Sequence, residues 1–578
     1  MGDSAGGDVD RISALPDDMV HVILASLRKA EDVTRTAVLS RRWRRAWIHS
    51  RGLSFDDKHV EQGTVPPDHL ARFVDWALAQ RGVADMESLR IDIFRQRGVS
   101  PEQINAWIRY ATRRVVGSFY LHLPYGPPKP PPPVVELPVE GRAASIALRL
   151  PGHALHLPAA GDARYESLTE LTLSVARFGE DDDGKPPAVE LPGGEARTTS
   201  ISLYLSRRRL LLPAAASASY PALTELTLGT VLFDEDDDGR ALGDLVSSCC
   251  PRLRRLHIEL PFGQLHQLVL RVEALQELRV RMARELRTLD VTAPNLRVLK
   301  LEFCFNGDAI DNVARVAAPG LQEIVLSTNS HNRVGLDIRG LSSVRRLGDL
   351  RLSMHGRYCR ATDPGLRLLE GCPRAESVSV WLGHRRVDPD GNLDEFVDLA
   401  REGAAPFARV RSLYVYASGL PDRHIVASIS SLLVRCPRLR SLRVKIVDTD
   451  IRSCDCICDG QYTWKDYGKI KLRSLEEVEI RGFTGADEEM DLVTLLFETS
   501  NSIKSMALNF SSSLALNDDA DMSDVVSLEE TGEEDEDSFL TIDQELENIP
   551  CTDRGHWHFG ENIYTWKCYT AKNGQLAL

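Results

Sequence analysis

The chain has 578 residues, 43 % apolar and 27 % charged, ordinary proportions for a soluble globular protein. That length would hold about four domains of common size, unless repeats make it uninformative. The net charge is −14, from 84 acidic and 70 basic residues, and Asp518 to Glu547 alone carries fourteen acids with no Lys or Arg. The remainder is close to neutral, which excludes a globally polybasic protein. No apolar run approaches the roughly 18–20 residues that span a bilayer. The start, MGDSAGGDVDR, lacks the apolar stretch of a signal peptide, and Gly6 breaks the myristoylation pattern. Eleven cysteines without a secretion signal read as reduced thiols. An intracellular protein, cytoplasmic and/or nuclear, is expected.

Three short helices are predicted in DRISALPDDMVHVILASLRKAEDVTRTAVLSRRWRRAWIHS. Pro16 suits a first helical position, and Asp17 and Asp18 favour the positive end of the dipole. Met19, Ile23 and Leu27 recur at four-residue spacing beside Val20 and Leu24, giving one broad apolar face. Asp32 is placed to cap a second helix carrying Val33, Ala37 and Val38. In the third, a 100° wheel with Leu39 at the origin puts Trp43 at about 40° and Trp47 at about 80°. Arg41, Arg42, Arg44 and Arg45 fall at about 200°, 300°, 140° and 240° on that wheel. The arginines therefore read as a solvated flank, and the tryptophans as core and docking surface. A nucleic-acid reader would carry a wider basic surface than one diluted by Asp10, Asp17, Asp18, Glu31 and Asp32.

LPYGPPKPPPPVVELP, Leu123 to Pro138, favours polyproline II and reads as a stiff spacer. A tandem duplication follows. YESLTELTLSVARFGEDDDG at Tyr165 returns as YPALTELTLGTVLFDEDDDG at Tyr220, and Ser145 corresponds to Ser200. The underlying unit, a leucine pattern xxLxxLxL after Pro or a small residue, recurs as CPRLRRLHIEL, VEALQELRV, APNLRVLKLEF, APGLQEIVLS and CPRLRSLRVKI. Its first leucines fall at Leu253, Leu275, Leu296 and Leu321, the period of leucine-rich repeats, where stacked neighbours bury what one unit cannot. The acidic stretch after Leu516 is expected to be disordered. GHWHFGENIYTWKCY, Gly555 to Tyr569, is patterned as strand, turn and strand.

Several motifs are weighed and set aside. The cysteines of CDCIC, Cys454, Cys456 and Cys458, alternate faces on an extended segment, so they do not easily meet one tetrahedral zinc. Cys551, His556, His558 and Cys568 lack diagnostic spacing. The EDDDG runs read as solvated carboxylates, and GDSAG lies outside the strand-turn-helix setting a nucleophile elbow requires. No metal, cofactor or catalytic residue is expected.

LPDDMVHVILASL followed by AVLSRRWRRAW resembles an F-box of the plant type, over about Ile12 to Trp47. Leu472 to Leu508 resembles the FBD region that follows leucine-rich repeats in plant F-box proteins. The resemblance implies a non-enzymatic substrate receptor of an SCF-type ubiquitin ligase, bound to a Skp-family adaptor and through it to a cullin, with a target protein on the repeats. Carried over by position, Leu15, Pro16, Ile23, Leu24, Leu27, Val38, Leu39, Trp43 and Trp47 are the adaptor-facing or module-core candidates. The doubled Arg41-Arg42 and Arg44-Arg45 depart from the family's usual single arginine before tryptophan. The expected fold is α/β: F-box 8–55, a helical and strand start 56–122, a Pro-rich segment 123–138 and a leucine-rich-repeat solenoid 139–471. An FBD-like segment 472–512, an acidic disordered segment 513–550 and an aromatic tail 551–578 complete it. The alternative is a leucine-rich-repeat scaffold or small-ligand sensor uncoupled from ubiquitination; neither membrane nor nucleic acid is an expected partner.

Overall fold

A computed structural model describes residues 15–27, 29–58, 66, 68–94, 99–124, 134–151, 153–157, 165–175, 188–191, 197–213, 219–233, 239–305, 312–327, 334–353, 364–383, 406–418, 425–447, 470–510, 536–549, 554–560 and 562–569. It is a mixed α/β structure in two units, residues 1–296 and 297–578.

In the first unit, three short helices, α1 (Asp17–Ser26), α2 (Ala30–Arg35) and α3 (Arg41–Ala46), lead into a parallel sheet. Its strands pair in chain order: Gly52–Asp56, Met86–Asp92, Val115–His122, Ser145–Leu150, Glu170–Val175, Ser200–Tyr204, Glu225–Gly229, Arg255–Glu259 and Glu277–Arg281. Alternation explains the geometry, because every second side chain of a strand faces one way. One apolar row runs across the register from Ile146 through Leu171, Ile201, Leu226 and Leu256 to Leu278, and all six are buried. The two copies of the tandem duplication thus each supply two neighbouring strands. A second, parallel run of short strands pairs Ala188–Glu190, Arg209–Leu211, Leu232–Phe233 and Phe262–Gly263.

The second unit repeats the arrangement with strands Val298–Glu302, Glu323–Ser327, Arg346–Ser353, Ser377–Gly383, Ser412–Ser418, Ser441–Val447, Glu477–Phe483 and Ser505–Phe510, again parallel and in chain order. The polar residue before each strand carries a running ladder. Gln322 N donates to Arg297 O, Arg345 N to Gln322 O, Glu376 N to Arg345 O and Arg411 N to Glu376 O, all at 2.8–2.9 Å. The leucine that opens each unit is turned inward by a tight turn, as where Leu321 N donates to Ala318 O at 3.2 Å. Burial pushes the Cys250, Cys372 and Cys436 thiols up to about 12, so these cysteines act as small apolar groups beside the turns.

Two expectations change. Val134–Glu136, at the end of the Pro-rich segment, pairs in parallel with Ala154–His156 and buries Val135; the spacer reading does not hold there, because a β-branched pair can join a ladder that proline cannot. Residues 125–133 lie outside the described residues. Within the acidic segment, Glu536–Asn548 is a helix with Ile542, Leu546 and Ile549 buried. Its apolar residues at four- and three-residue spacing outweigh the charge repulsion from which disorder was expected. Residues 511–535 lie outside the described residues.

Candidate functional site

The N-terminal module is built around its tryptophans. Pro16 O accepts from Met19 N and Val20 N at 3.1 Å each, starting α1. Val20 and Leu24 are buried, with Ala30 and Val33 of α2. The Ser40 hydroxyl caps α3, accepting from Trp43 N at 3.4 Å. Trp43 and Trp47 are 2 % and 3 % exposed. Trp47 stacks on Trp76 with centroids 5.5 Å apart, and Trp76 on Phe73 at 5.9 Å. Phe73 meets Phe55 edge-on at 5.5 Å. Arg81, buried and with its pKa lowered by that burial, donates from Nη1 to Trp47 O at 3.2 Å. Arg42 turns back to donate to Leu15 O, while Arg41 and Arg45 are exposed. Lys29 reaches Asp56 at 3.8 Å.

The nine carried-over residues divide in three. Leu24, Trp43 and Trp47 form the core, and Leu15, Ile23 and Leu27 are half-buried. Pro16 is exposed, and so are Val38 at 86 % and Leu39 at 55 %. Met19 and Val22, at 48 % and 60 %, join them on the outside; both lie outside the carried-over set. The wheel placed Leu39 and Trp43 on one stripe, but Ser40 is extended (φ −166°, ψ 168°) and α3 begins at Arg41. That break separates the two side chains. Nor does Asp32 cap α2. The helix starts at Ala30, Asp32 lies in its first turn and pairs with Arg35 at 3.6 Å, and Thr36–Val38 continues as a 3₁₀ turn.

Near the other end, strand Glu477–Phe483, helix Asp487–Thr499 and strand Ser505–Phe510 form one layered element. The buried Glu489 holds its entry loop: Oε2 accepts from Thr484 N at 2.6 Å, Thr484 Oγ1 at 3.1 Å and Gly485 N at 3.0 Å. Gly485 has φ +83°, a backbone setting in which a Cβ is strained. The helix buries Leu492, Val493, Leu496 and Phe497. The aromatic C-terminal segment is an antiparallel hairpin, Gly555–Phe559 with Ile563–Cys568, whose second strand pairs antiparallel with Ser505–Phe510. Trp566 meets Phe497 edge-on at 5.0 Å, and Tyr564 meets Phe510 at 4.5 Å. Strand–turn–strand patterning in the sequence had pointed to this hairpin; its place on the sheet had no sequence signal.

Among the described residues there is no group of three or more His, Cys, Asp or Glu arranged to hold a metal ion. The cysteines of CDCIC, Cys551, the acids of both EDDDG runs and GDSAG lie outside them. No helix among them is long and apolar enough to cross a membrane.

The FBD family model matches residues 472–508, the strand-helix-strand element. A putative F-box/FBD/LRR-repeat protein of Arabidopsis thaliana is 24 % identical over 518 residues, covering 87 % of this chain and 89 % of that protein. A putative F-box protein of the same plant is 21 % identical over 509 residues, 86 % and 88 % of the two. An FBD-associated F-box protein, also from Arabidopsis thaliana, is 38 % identical over 108 residues, 18 % of this chain and 24 % of that one. The chain thus carries an FBD region and is similar, over most of its length, to plant F-box/FBD/LRR-repeat proteins.

Proposed function

We propose that the protein is a non-catalytic substrate-recognition subunit of an SCF-type ubiquitin ligase. Residues 8–55 act as the F-box that docks a Skp-family adaptor and through it a cullin. Residues 139–471 form a leucine-rich-repeat solenoid whose open strand face takes the target protein. The observation that carries this reading is the division within the N-terminal module. Its tryptophans are spent on its own core, while Met19, Val22, Val38 and Leu39 remain exposed. Scattered exposed apolar side chains are ordinary, but four on so small a module, two of them adjacent, are what a docking face supplies. The names of the relatives, which include F-box and LRR-repeat, support the same assignment.

Capture of a Skp-family adaptor by the full chain tests it. Wild type is expected to retain the adaptor, and the double change Val38→Glu and Leu39→Glu to weaken capture by roughly 30-fold, about 2 kcal/mol, with unchanged thermal unfolding. A wild-type chain that retains no adaptor overturns the assignment.

A further inference from the structure

The open side of the sheet in residues 297–578 carries an ordered row of cations and aromatic rings. The register sets Arg351 beside Trp381, Trp381 beside Tyr416, Tyr416 beside Lys445, and Lys445 beside Arg481. Trp381 and Tyr416 stack face to face, with centroids 4.2 Å apart and planes 5° from parallel. The Arg351 guanidinium lies 5.5 Å from the Trp381 ring and 5.0 Å from that of Phe303. Lys445 Nζ lies 5.5 Å from Tyr416, and Tyr414 meets Tyr416 edge-on at 4.6 Å. Arg351 owes its place to a bulge: the register slips between Leu347 and Leu350, and Asp349 takes φ +51°. Bulges re-aim the side chains that follow them.

The cations of this face are not equivalent. Arg443 and Arg481 share Glu479, at 3.3 and 2.7 Å. Among the described residues no carboxylate lies within ion-pair distance of Arg351 or Lys445, although Asp349 acts on Arg351 from farther away, and Arg351 Nε is buried without a hydrogen-bond partner. Both are instead held against rings, which fixes their charge in place before any ligand arrives and reduces the ordering cost of binding. They stand three strands apart, about 14 Å at the usual strand spacing, which an extended polypeptide covers in about four residues. Positions four apart on an extended chain face the same way, and so does the position midway between them.

We propose that this row docks an extended acidic segment of a partner protein, with two carboxylates four residues apart on Arg351 and Lys445 and an apolar side chain between them against Trp381 and Tyr416. The inference rests on the receptor reading for the open sheet face being the one that meets a target. Charge complementarity selects the occupant. A phosphate backbone would carry its charges past Glu479 and Asp349, which belong to the same face, whereas a peptide places its two acids at the two cations that have no carboxylate in ion-pair contact and stays neutral elsewhere.

The test is fluorescence anisotropy of the full chain with a short synthetic peptide bearing Asp-x-Phe-x-Asp among Ser and Gly, against its Asn-x-Phe-x-Asn counterpart. Wild type is expected to bind the acidic peptide at least tenfold more tightly than the neutral one. Arg351→Gln with Lys445→Gln is expected to remove that preference, and Trp381→Ala to weaken both peptides. Lys445→Gln alone, on an exposed side chain, gives an intermediate loss even where a Trp381 variant misfolds. Equal binding of the two peptides, or an acidic preference that survives the double change, overturns the proposal. So does an oligothymidylate that binds more tightly than the peptide and is lost in the double variant. Binding that appears only after the acids of 518–535 are changed to Asn and Gln also overturns it, because the occupant is then this chain's own segment. Adaptor capture is measured on the same preparations. Capture without peptide preference rejects this inference alone, and peptide preference without capture rejects the receptor reading alone.

Discussion

The N-terminal module and the C-terminal hairpin both bury tryptophans, but they treat their other apolar side chains differently. In the hairpin, Tyr564 and Trp566 are buried against Phe510 and Phe497, and the strand that carries them pairs with Ser505–Phe510. Its two buried rings close a strand edge that would otherwise offer unpaired backbone groups to other chains, while Ile563 and Tyr569 stay exposed at its margin. In the module, Trp43 and Trp47 are equally buried, yet Val38 and Leu39 beside them are not. The hairpin spends its largest rings within the fold, whereas the module, on the function proposed above, keeps an adjacent apolar pair for a partner. The comparison turns on where each tryptophan goes, so the most damaging changes are the tryptophans themselves.

Trp43→Ala and Trp566→Ala are each expected to cost about 3–5 kcal/mol, the usual range for a buried tryptophan. Limited proteolysis separates them: Trp43→Ala exposes sites in residues 15–58, and Trp566→Ala exposes sites in 470–569. If Trp43→Ala instead left folding intact and lost the adaptor, the residue would be a docking contact and the division drawn above would fail. Leu546→Ala is expected to cost about 2–4 kcal/mol, measured by chemical denaturation. A neutral result would return Glu536–Asn548 to the disordered class expected from its charge.

That helix shows where the sequence was and was not legible. The leucine pattern foresaw the strands that begin two residues after Leu253, Leu275, Leu296 and Leu321, because burial on a strand leaves a period-two signature that composition does not blur. The hairpin at 555–568 was legible for the same reason. The helix at 536–548 was hidden by nine unit charges' worth of neighbouring acids: net charge is a property of the window, whereas burial is decided by three residues, Ile542, Leu546 and Ile549. The exposure of Val38 and Leu39 could not be read from the wheel, since Ser40 breaks the helix between them and Trp43. The row from Arg351 to Lys445 was readable only as alternation in SVSVWLG, SLYVYAS and SLRVKIV; which residues neighbour across strands depends on register, and the bulge at Asp349 has no signal in the leucine pattern.

A smaller effect sharpens the contrast from the C-terminal side. Burial, the largest influence, raises the Glu489 pKa, and the hydrogen bonds from Thr484 and Gly485 oppose it. A carboxyl whose folded pKa lies above its unfolded value favours the protonated fold. Its contribution is therefore full below the unfolded pKa of about 4.3 and is lost as pH rises through the folded pKa. Glu489→Gln is expected to flatten the fall of unfolding temperature across that window while costing little at its acid end. An unchanged pH slope would show that the donors cancel the effect of burial, and a slope of opposite sign that they outweigh it.

The smallest expected effect belongs to the arginines of α3, and it separates protein docking from nucleic-acid binding. Arg42 is engaged by Leu15 O, and Arg41 and Arg45 are exposed on the side of the helix away from the buried tryptophans. Changing Arg41 and Arg45 to Gln is expected to lower adaptor affinity only a few-fold, through the association rate, with the difference vanishing at high salt. If these side chains held phosphates, wild type would bind duplex or single-stranded nucleic acid with a log–log salt slope of about −1.4 to −1.8 for two contacts, and the double change would remove it. Titration of a labelled oligonucleotide at two salt concentrations distinguishes the cases. The module's acids argue for the first: Asp32 is drawn to Arg35 at 3.6 Å and Asp56 to Lys29 at 3.8 Å, so carboxylates offset the positive field that a phosphate backbone needs. Two exposed cations on one short helix can steer an encounter, but holding a polyanion requires a broader surface of one sign.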